Sequence, residues 1–284
     1  MKQPFIVAEL SGNHNGDLQR ALQLVQAAKD AEADAIKIQT FTPEQMVDPD
    51  LVIETGPWAG QKAIDLYRQT HYPREWHEPI FNFAKELGMV GFSSVFHRDD
   101  VDFLETLGCP IYKIASFEAT DLDLIEYVGT LRKPMIISAG MCKFEEIEDA
   151  VRAARNGGAW DITVLKCTSA YPAPLEEANL STIGRLAFDL EVEVGLSDHT
   201  LGWIAPVVAV AAGATVIEKH LKLMDDDEGP DAAFSMTPAN FGIMARWCRD
   251  AVLAFGTPTY DPTPSERASM ELRRKPGGKR GDRK

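Results

Sequence analysis

The chain has 284 residues, of which 45% are hydrophobic and 25% are charged, so it is long and apolar enough to form a sizeable core and is not a disordered protein. Its 43 acidic residues against 29 lysines and arginines give a formal net charge of -14, which excludes a general binder of nucleic acid or of an anionic membrane surface. The four cysteines form no CxxC pair, and neither a signal peptide nor a membrane span is recognisable, so we expect a cytoplasmic protein with reduced thiols.

Short apolar runs alternate with amphipathic helical patterns along the whole chain. The predicted strands cover residues 5–8, 35–39, 90–93, 112–114, 135–138, 162–167, 192–196 and 215–219. The predicted helices cover residues 18–31, 74–87, 99–107, 122–131, 144–155, 180–188, 203–212 and 237–255. Eight parallel strands joined by helices in about 250 residues predict a closed (β/α)8 barrel, the TIM barrel. The competing open sheet would usually carry a GxGxxG loop after strand 1, where this chain has ELSGNHNG.

The barrel domain is predicted to cover residues 1–260, and residues 261–284 are predicted to be a linker remnant and a disordered basic tail. One connection, residues 41–73 after the second strand, is much longer than the others and has no clear pattern. Long connections in barrels are usually lids or interface loops at the catalytic face. The alternative is a surface excursion that packs on a neighbouring subunit, and the sequence leaves both interpretations open.

Catalytic groups of barrel enzymes lie at the carboxyl ends of the strands, and every predicted strand of this chain ends in polar or charged residues. Two of these, Lys37 and Lys113, lie inside apolar strands, where a cation is costly unless an anion is close. Each lysine alone could neutralise a buried carboxylate. Together with several serines at strand ends, the pair favours a site for a small anion such as phosphate or carboxylate.

Two histidines, His199 and His220, end the predicted strands 7 and 8, which are neighbours in a barrel. Histidines from neighbouring strands can bind one divalent metal and leave coordination positions open for water and substrate. Metal-dependent hydrolases of this fold usually begin with His-x-His at strand 1, where this chain has Glu9. Three further histidines, His71, His77 and His97, are interpreted as lying at the surface or behind the site.

Seven motifs occur in an order that is typical of one enzyme family. They are AELSGNHNGD, AIKIQTF, YKIASFE, KCTSAYPAP, EVGLSDHT, VIEKH and GPDAAFS. The chain resembles the sialic acid synthase family over about residues 4–265. Among its branches it is most similar to the pseudaminic acid synthases, because of AELS, KCTSAYPAP and GPDAAFS.

The resemblance implies that phosphoenolpyruvate condenses with an open-chain amino sugar and water, giving a nine-carbon 2-keto-3-deoxy acid and phosphate by C–O cleavage. A divalent metal (Mn2+, Mg2+ or Co2+) on His199 and His220 would polarise the sugar aldehyde, and Glu9 would position or activate the water. The groups implied to cradle phosphoenolpyruvate are Lys37, Lys113, Ser94, Ser116, Ser138, Ser169 and Ser197. Those implied to contact the sugar are Gln39, Glu118, Tyr171 and Asp231.

Family members form homodimers in which a C-terminal antifreeze-like domain covers the partner's active site. Here Glu271-Leu-Arg-Arg resembles the start of that junction and is followed by the basic tail. We therefore expect a retained phosphoenolpyruvate and metal site with weakened sugar binding. The alternatives are an N-acetylneuraminate or legionaminate synthase, in which only the sugar differs, and a weakly active barrel that only binds phosphoenolpyruvate.

Overall fold

Eight parallel strands close into a barrel in chain order in the computed structural model, which describes residues 1–225, 227–274, 276–278 and 280. The strands are β1 (Phe5–Glu9), β2 (Ala35–Thr40), β3 (Val90–Val95), β4 (Tyr112–Ile114), β5 (Met135–Ser138), β6 (Ile162–Cys167), β7 (Glu193–Asp198) and β8 (Val216–His220). They are short apolar runs, buried along nearly all of their length, as parallel strands covered by helices must be. The predicted TIM barrel is confirmed, and β1 closes it by pairing with both β2 and β8.

Each of the eight predicted helices is present around the barrel. The helices of the chain are α1 (Leu18–Asp30), α2 (Pro43–Met46), α3 (Ala63–Thr70), α4 (Arg74–Glu86), α5 (Arg98–Thr106), α6 (Leu122–Gly129), α7 (Phe144–Gly157), α8 (Thr182–Leu190), α9 (Ile204–Ala211), α10 (Pro238–Phe255) and α11 (Arg267–Met270). Helix α1 begins after Asp17, whose side chain caps it by accepting a hydrogen bond from the backbone N–H of Gln19. None of the described helices is long and apolar enough to span a membrane.

The connection over residues 41–73 is more ordered than its sequence indicates. It contains α2 and α3, and an antiparallel bridge joins Val52 to Lys62 between them. Helices of one or two turns are too short to give a clear hydrophobic period, which is why the sequence predicts no structure here.

The chain divides into two compact units, Met1–Ala254 and Phe255–Lys284. The first contains the whole barrel. The second contains a short 3-10 turn, Pro264–Glu266, followed by α11, and its described residues are almost all exposed. The predicted disorder of the basic tail concerns residues of which 275, 279 and 281–284 lie outside the described part of the chain.

A buried ion pair lies behind the ends of β7 and β8. Lys219 Nζ is 2.6 Å from Asp198 Oδ2 and also donates to the carbonyl of Thr200, while Asp198 Oδ1 accepts the Thr200 N–H at 3.0 Å. Asp198 and Lys219 are register partners across the two strands. The pair therefore fixes the strand ends that carry the neighbouring residues His199 and His220.

The Gly195→Ala substitution should destabilise the barrel, because Gly195 of β7 lies in close contact with the neighbouring strands β6 and β8. A methyl group on Gly195 of β7 would lie 2.6 Å from Leu165 Cδ2 and closer still to the Val216 carbonyl of β8. We expect the free energy of unfolding to fall by roughly 1–3 kcal/mol, because the strands must separate to admit it.

The control is Gly184→Ala in α8, where the new methyl group meets nothing closer than the Ala212 carbonyl at 3.6 Å. It should stabilise the helix by about 0.5–1 kcal/mol. Urea unfolding of both variants measures the contrast, and equal stability of the two would contradict the close packing at Gly195.

Candidate active site

Four buried charged residues meet inside the carboxyl end of the barrel. Lys37 on β2 forms an ion pair with Glu9 on β1, and its Nζ lies 3.6 Å from Glu218 Oε1 on β8. Lys113 on β4 contacts the same oxygen at 3.4 Å. All four side chains are nearly inaccessible to solvent. The structure thus brings both predicted lysines together, and each is paired with a carboxylate.

Three polar side chains complete this charged cluster. Ser94 accepts a hydrogen bond from Lys37 Nζ at 2.8 Å, and Ser197 Oγ donates to Glu218 Oε1 at 3.3 Å. Gln39 donates to Glu9 Oε1 at 3.2 Å, and the same oxygen accepts the backbone N–H of Ser11. Because these residues come from six of the eight strands, the cluster spans the interior of the barrel.

The two lysines differ in how well they are satisfied. An ammonium group has three N–H donors, and Lys37 has three partners, Ser94, Glu9 and Glu218. Among the described residues, Lys113 has Glu218 alone. Burial is the largest single influence on the pKa of each lysine, and it acts to lower both. For Lys37 the two carboxylates together outweigh burial and raise the pKa. For Lys113 burial prevails and the pKa is lowered.

The pKa values of the two carboxylates, Glu9 and Glu218, are also shifted in opposite directions. Burial raises the pKa of Glu9 above its ordinary value, although Lys37 acts against it. The pKa of Glu218 is lowered, because Lys113 and Lys37 together outweigh the effect of burial. Glu218 therefore carries a negative charge that holds both lysines, and Glu9 is the better proton acceptor of the pair.

Serine hydroxyls form a second group at the ends of β4 to β6. Ser116 Oγ accepts the backbone N–H of Gly140 at 3.0 Å. A methyl group on Gly140 would collide with Ser169 Oγ and come within 2.9 Å of Ser116 Oγ, so the two hydroxyls flank this glycine closely. Ser138 ends β5, and its Oγ is buried without a hydrogen-bond partner among the described residues. Leaving a buried hydroxyl unpaired is costly, so this group suits a ligand that accepts a hydrogen bond from it.

The two predicted metal ligands lie side by side, with ring centroids 5.4 Å apart. His199 Nδ1 donates to the Thr168 carbonyl at 3.0 Å, so Nδ1 carries a proton and Nε2 would be the atom available to a metal. Burial, followed by His199 and Lys37, lowers the pKa of His220 well below its ordinary value. Its Nδ1 is buried and unpartnered within the described chain.

The donor set fits a metal held by two protein ligands. A neutral imidazole is the form that binds a metal, and burial keeps His220 neutral. Burial acts on His199 as well, but the Cys167 thiol, 3.8 Å from its Nδ1, outweighs it and raises the pKa of His199. The described residues contain no group of three or more His, Cys, Asp or Glu side chains arranged to hold an ion. The remaining coordination positions would therefore belong to water and substrate.

Aromatic rings and the loop after β8 surround the histidines. The Tyr171 ring lies 4.4 Å from His199, and Phe234 lies 4.9 Å from His220. Asp231 is buried, and its Oδ2 accepts hydrogen bonds from Ser11 Oγ and from the Gly12 N–H. Asp231, which is predicted to contact the sugar, thus links the loop after β8 to the loop after β1 through one carboxylate oxygen.

The histidines outside the site have structural partners. His77 was expected at the surface or behind the site, and the surface interpretation is wrong, because it is fully buried and bonds Thr40 Oγ1 at 2.8 Å and the Pro73 carbonyl at 3.1 Å. Burial lowers its pKa to about 4. His97 is exposed, as predicted, and caps α5.

Glu218 is the central residue that the sequence analysis does not select. It appears there only as the glutamate of the motif VIEKH. Side chains alternate along a strand, so Glu218 shares a face with His220, two residues away, and that signal could have identified it.

Glu118 lies in the 3-10 turn after β4 and has a perturbed carboxyl group. Its Oε2 is buried without a hydrogen-bond partner in the described structure, and burial raises its pKa to about 7. Lys113 is close enough to oppose this shift. Because the folded state binds the proton more tightly than the unfolded state, this group makes wild type less stable as pH rises from the unfolded pKa to about 7.

Glu118→Gln removes this titration. We expect the stability of the variant relative to wild type to increase by about 1–3 kcal/mol between roughly pH 4.5 and 7, and to change little above that. Guanidinium unfolding of both proteins across this range measures the difference. Parallel stability curves would show that Glu118 titrates as it does in the unfolded chain.

Comparisons with known proteins agree with the geometry. A model of the NeuB family matches residues 24–260. The chain is 42% identical over 261 residues to pseudaminic acid synthase of Helicobacter pylori, which covers 90% of this chain and 76% of that one. It is 35% identical over 287 residues to N,N'-diacetyllegionaminic acid synthase of Legionella pneumophila, with 95% and 80% of the two chains covered.

A solved structure is similar over nearly the whole length. N-acetylneuraminic acid synthetase of Leptospira borgpetersenii, in complex with citrate, matches with a TM-score of 0.86 and 28% identity over 95% of this chain and 91% of that chain. The predicted resemblance to sialic acid synthases is confirmed, and the chain is an enzyme that belongs to the NeuB family.

Proposed function

We propose that the enzyme condenses phosphoenolpyruvate with 2,4-diacetamido-2,4,6-trideoxy-L-altrose and water to give pseudaminic acid and phosphate. Its identity to the Helicobacter pylori enzyme supports this choice of sugar over that of the Legionella relative. The observation that carries the proposal is a buried lysine, Lys113, which has Glu218 as its one hydrogen-bond partner among the described residues and lies at a barrel end that also carries serine hydroxyls.

Lys113 is the proposed anchor of phosphoenolpyruvate. A phosphate or carboxylate beside Lys113 would accept hydrogen bonds from its remaining N–H groups. It would also favour the charged form of the lysine, which burial disfavours. Ser94 and Ser197 border the charged cluster, and Ser116, Ser138 and Ser169 supply hydroxyls from the adjoining strands. Lys37 holds Glu9 and Glu218 in place and adds positive charge.

Glu9 is the proposed base for the water. C3 of phosphoenolpyruvate bonds to the aldehyde carbon of the sugar, and the aldehyde oxygen takes up a proton. The water oxygen adds to C2 while one of its protons passes to Glu9. The C2–O bond to the phosphate then breaks as the new C2 hydroxyl loses its proton and becomes the keto group, and the two protons released from the water end on the sugar oxygen and on the departing phosphate. The raised pKa of Glu9 suits this step, because a base works best with a pKa close to the working pH.

The remaining roles follow the same geometry. His199 and His220 would hold Mn2+, Mg2+ or Co2+, which polarises the aldehyde when bound. The sugar would contact Gln39, Glu118, Tyr171 and Asp231. The apolar run Ala232-Ala233-Phe234 suits the methyl group of a 6-deoxy sugar. Assembly into a homodimer stays a prediction.

Lys113→Ala should abolish the binding of phosphoenolpyruvate. Loss of a buried charged partner typically costs about 2–5 kcal/mol, so Kd should rise by at least roughly 30-fold. Isothermal titration calorimetry measures it. Lys133→Ala is the control, because this lysine pairs with Glu105 at 2.5 Å outside the cluster and should leave Kd unchanged. Equal affinities of the two variants would remove Lys113 from the anion site.

The function itself is tested by phosphate release from phosphoenolpyruvate. With Mn2+ present, we expect release to depend on 2,4-diacetamido-2,4,6-trideoxy-L-altrose, to be much slower with N-acetylmannosamine, and to stop when a chelator removes the metal. Release with N-acetylmannosamine alone would assign an N-acetylneuraminate synthase. Binding of phosphoenolpyruvate without release with either sugar would contradict the proposed synthase.

A further inference from the structure

The connection between β2 and α3 forms a hairpin with a tryptophan near its tip. Beside the Val52–Lys62 bridge, the Ile53 N–H donates to the Gln61 carbonyl at 2.9 Å, and the Gly60 N–H donates to the Ile53 carbonyl at 2.8 Å. Every residue from 54 to 60 is exposed except Trp58, which is half-buried. Trp58 is therefore the least exposed residue of the tip.

Trp58 meets loops from distant strands. Its Nε1 donates to the Pro230 carbonyl, in the loop after β8, at 2.9 Å. Its ring centroid lies 5.5 Å from that of Tyr171, in the loop after β6, and 6.1 Å from that of Phe234. The hydrogen bond fixes the position of the indole, and the rings form an apolar surface of three aromatic side chains. We call Trp58, Tyr171 and Phe234 the aromatic wall.

The aromatic wall lies next to the histidine pair. Tyr171 and Phe234 contact His199 and His220 at centroid distances of 4.4 and 4.9 Å. A sugar whose aldehyde carbon is at the histidines would therefore extend along these rings. Within the described structure the hydrogen bond to Pro230 is the one that the Trp58 side chain makes, and its ring faces offer the sugar apolar contact.

We propose that Trp58 determines which amino sugar the enzyme accepts, by packing the aromatic wall against the methyl group at C6 of a 6-deoxy sugar. The inference rests on the proposed function and adds to it a residue and a chemical group of the substrate. A methyl group gains by leaving water for an aromatic surface, whereas a hydroxyl group at C6 would lose hydrogen bonds to water there. A pocket of this kind distinguishes the two by about 10- to 100-fold.

The test compares two sugars that differ only at C6, 2,4-diacetamido-2,4,6-trideoxy-L-altrose and its 6-hydroxy counterpart. The ratio of their kcat/KM values is measured by phosphate release for wild type, Trp58→Ala and Trp58→Phe, with Mn2+ and saturating phosphoenolpyruvate. Wild type should prefer the deoxy sugar by about 10-fold or more. Trp58→Ala should bring the ratio close to one, and Trp58→Phe should restore part of it.

Trp160→Ala is the matched control. Trp160 precedes β6 at the opposite end of the barrel, is 75% exposed, and its Nε1 also donates to a backbone carbonyl, that of Arg132. It should keep the wild-type ratio. The KM for phosphoenolpyruvate should change by less than about twofold in all variants, because none of them touches the lysines.

The outcomes separate the two proposals. An unchanged ratio in Trp58→Ala, or an equal change in Trp160→Ala, would overturn the role of Trp58 while leaving an active synthase. A wild-type enzyme that releases no phosphate with either sugar would overturn the proposed function, and the role of Trp58 with it.

Discussion

Two lysines and two glutamates share the interior of the barrel, and burial of any one of these charges alone would cost several kcal/mol. Lys37 is matched by Glu9 and Glu218, so its charge and its donors are satisfied. Within the described part of the chain, Lys113 contacts one carboxylate oxygen, that of Glu218, which it shares with Lys37. The cluster is therefore balanced in charge and incomplete in hydrogen bonds. An anionic substrate would supply the missing hydrogen bonds. Recognition of phosphoenolpyruvate would then depend on the same lysines whose pairing with glutamates allows these charges to be buried.

Strand alternation lets one short segment serve both the site and the fold. Glu218 and His220 of β8 face the interior, and Lys219 between them forms the buried ion pair with Asp198 behind the barrel. Breaking such a pair leaves an uncompensated charge at a cost of about 3–5 kcal/mol, so the backbone beside both histidines is strongly restrained. The two histidines are thus positioned by an ion pair on the opposite face of the strands that carry them.

The barrel could be predicted because its strands are continuous apolar runs separated by clear helical periods, and β5 and β6 match their predicted bounds residue for residue. Most polar groups of the site could be predicted as well, since strand ends converge in this fold. The pairing of Glu218 with both lysines is a contact across the barrel and has no local signature beyond alternation. The position of Trp58 depends on loops that follow β2, β6 and β8, so no sequence pattern indicates it.

The central claim is that phosphoenolpyruvate binds by completing the hydrogen bonds of the buried charged cluster. A crystal structure of the protein with phosphoenolpyruvate tests it most directly. The account predicts a phosphate or carboxylate oxygen within about 3 Å of Lys113 Nζ, with Ser138 Oγ also bonded to the ligand. Phosphoenolpyruvate bound elsewhere, with Lys113 still contacting Glu218 alone and Ser138 Oγ still unpaired, would contradict it.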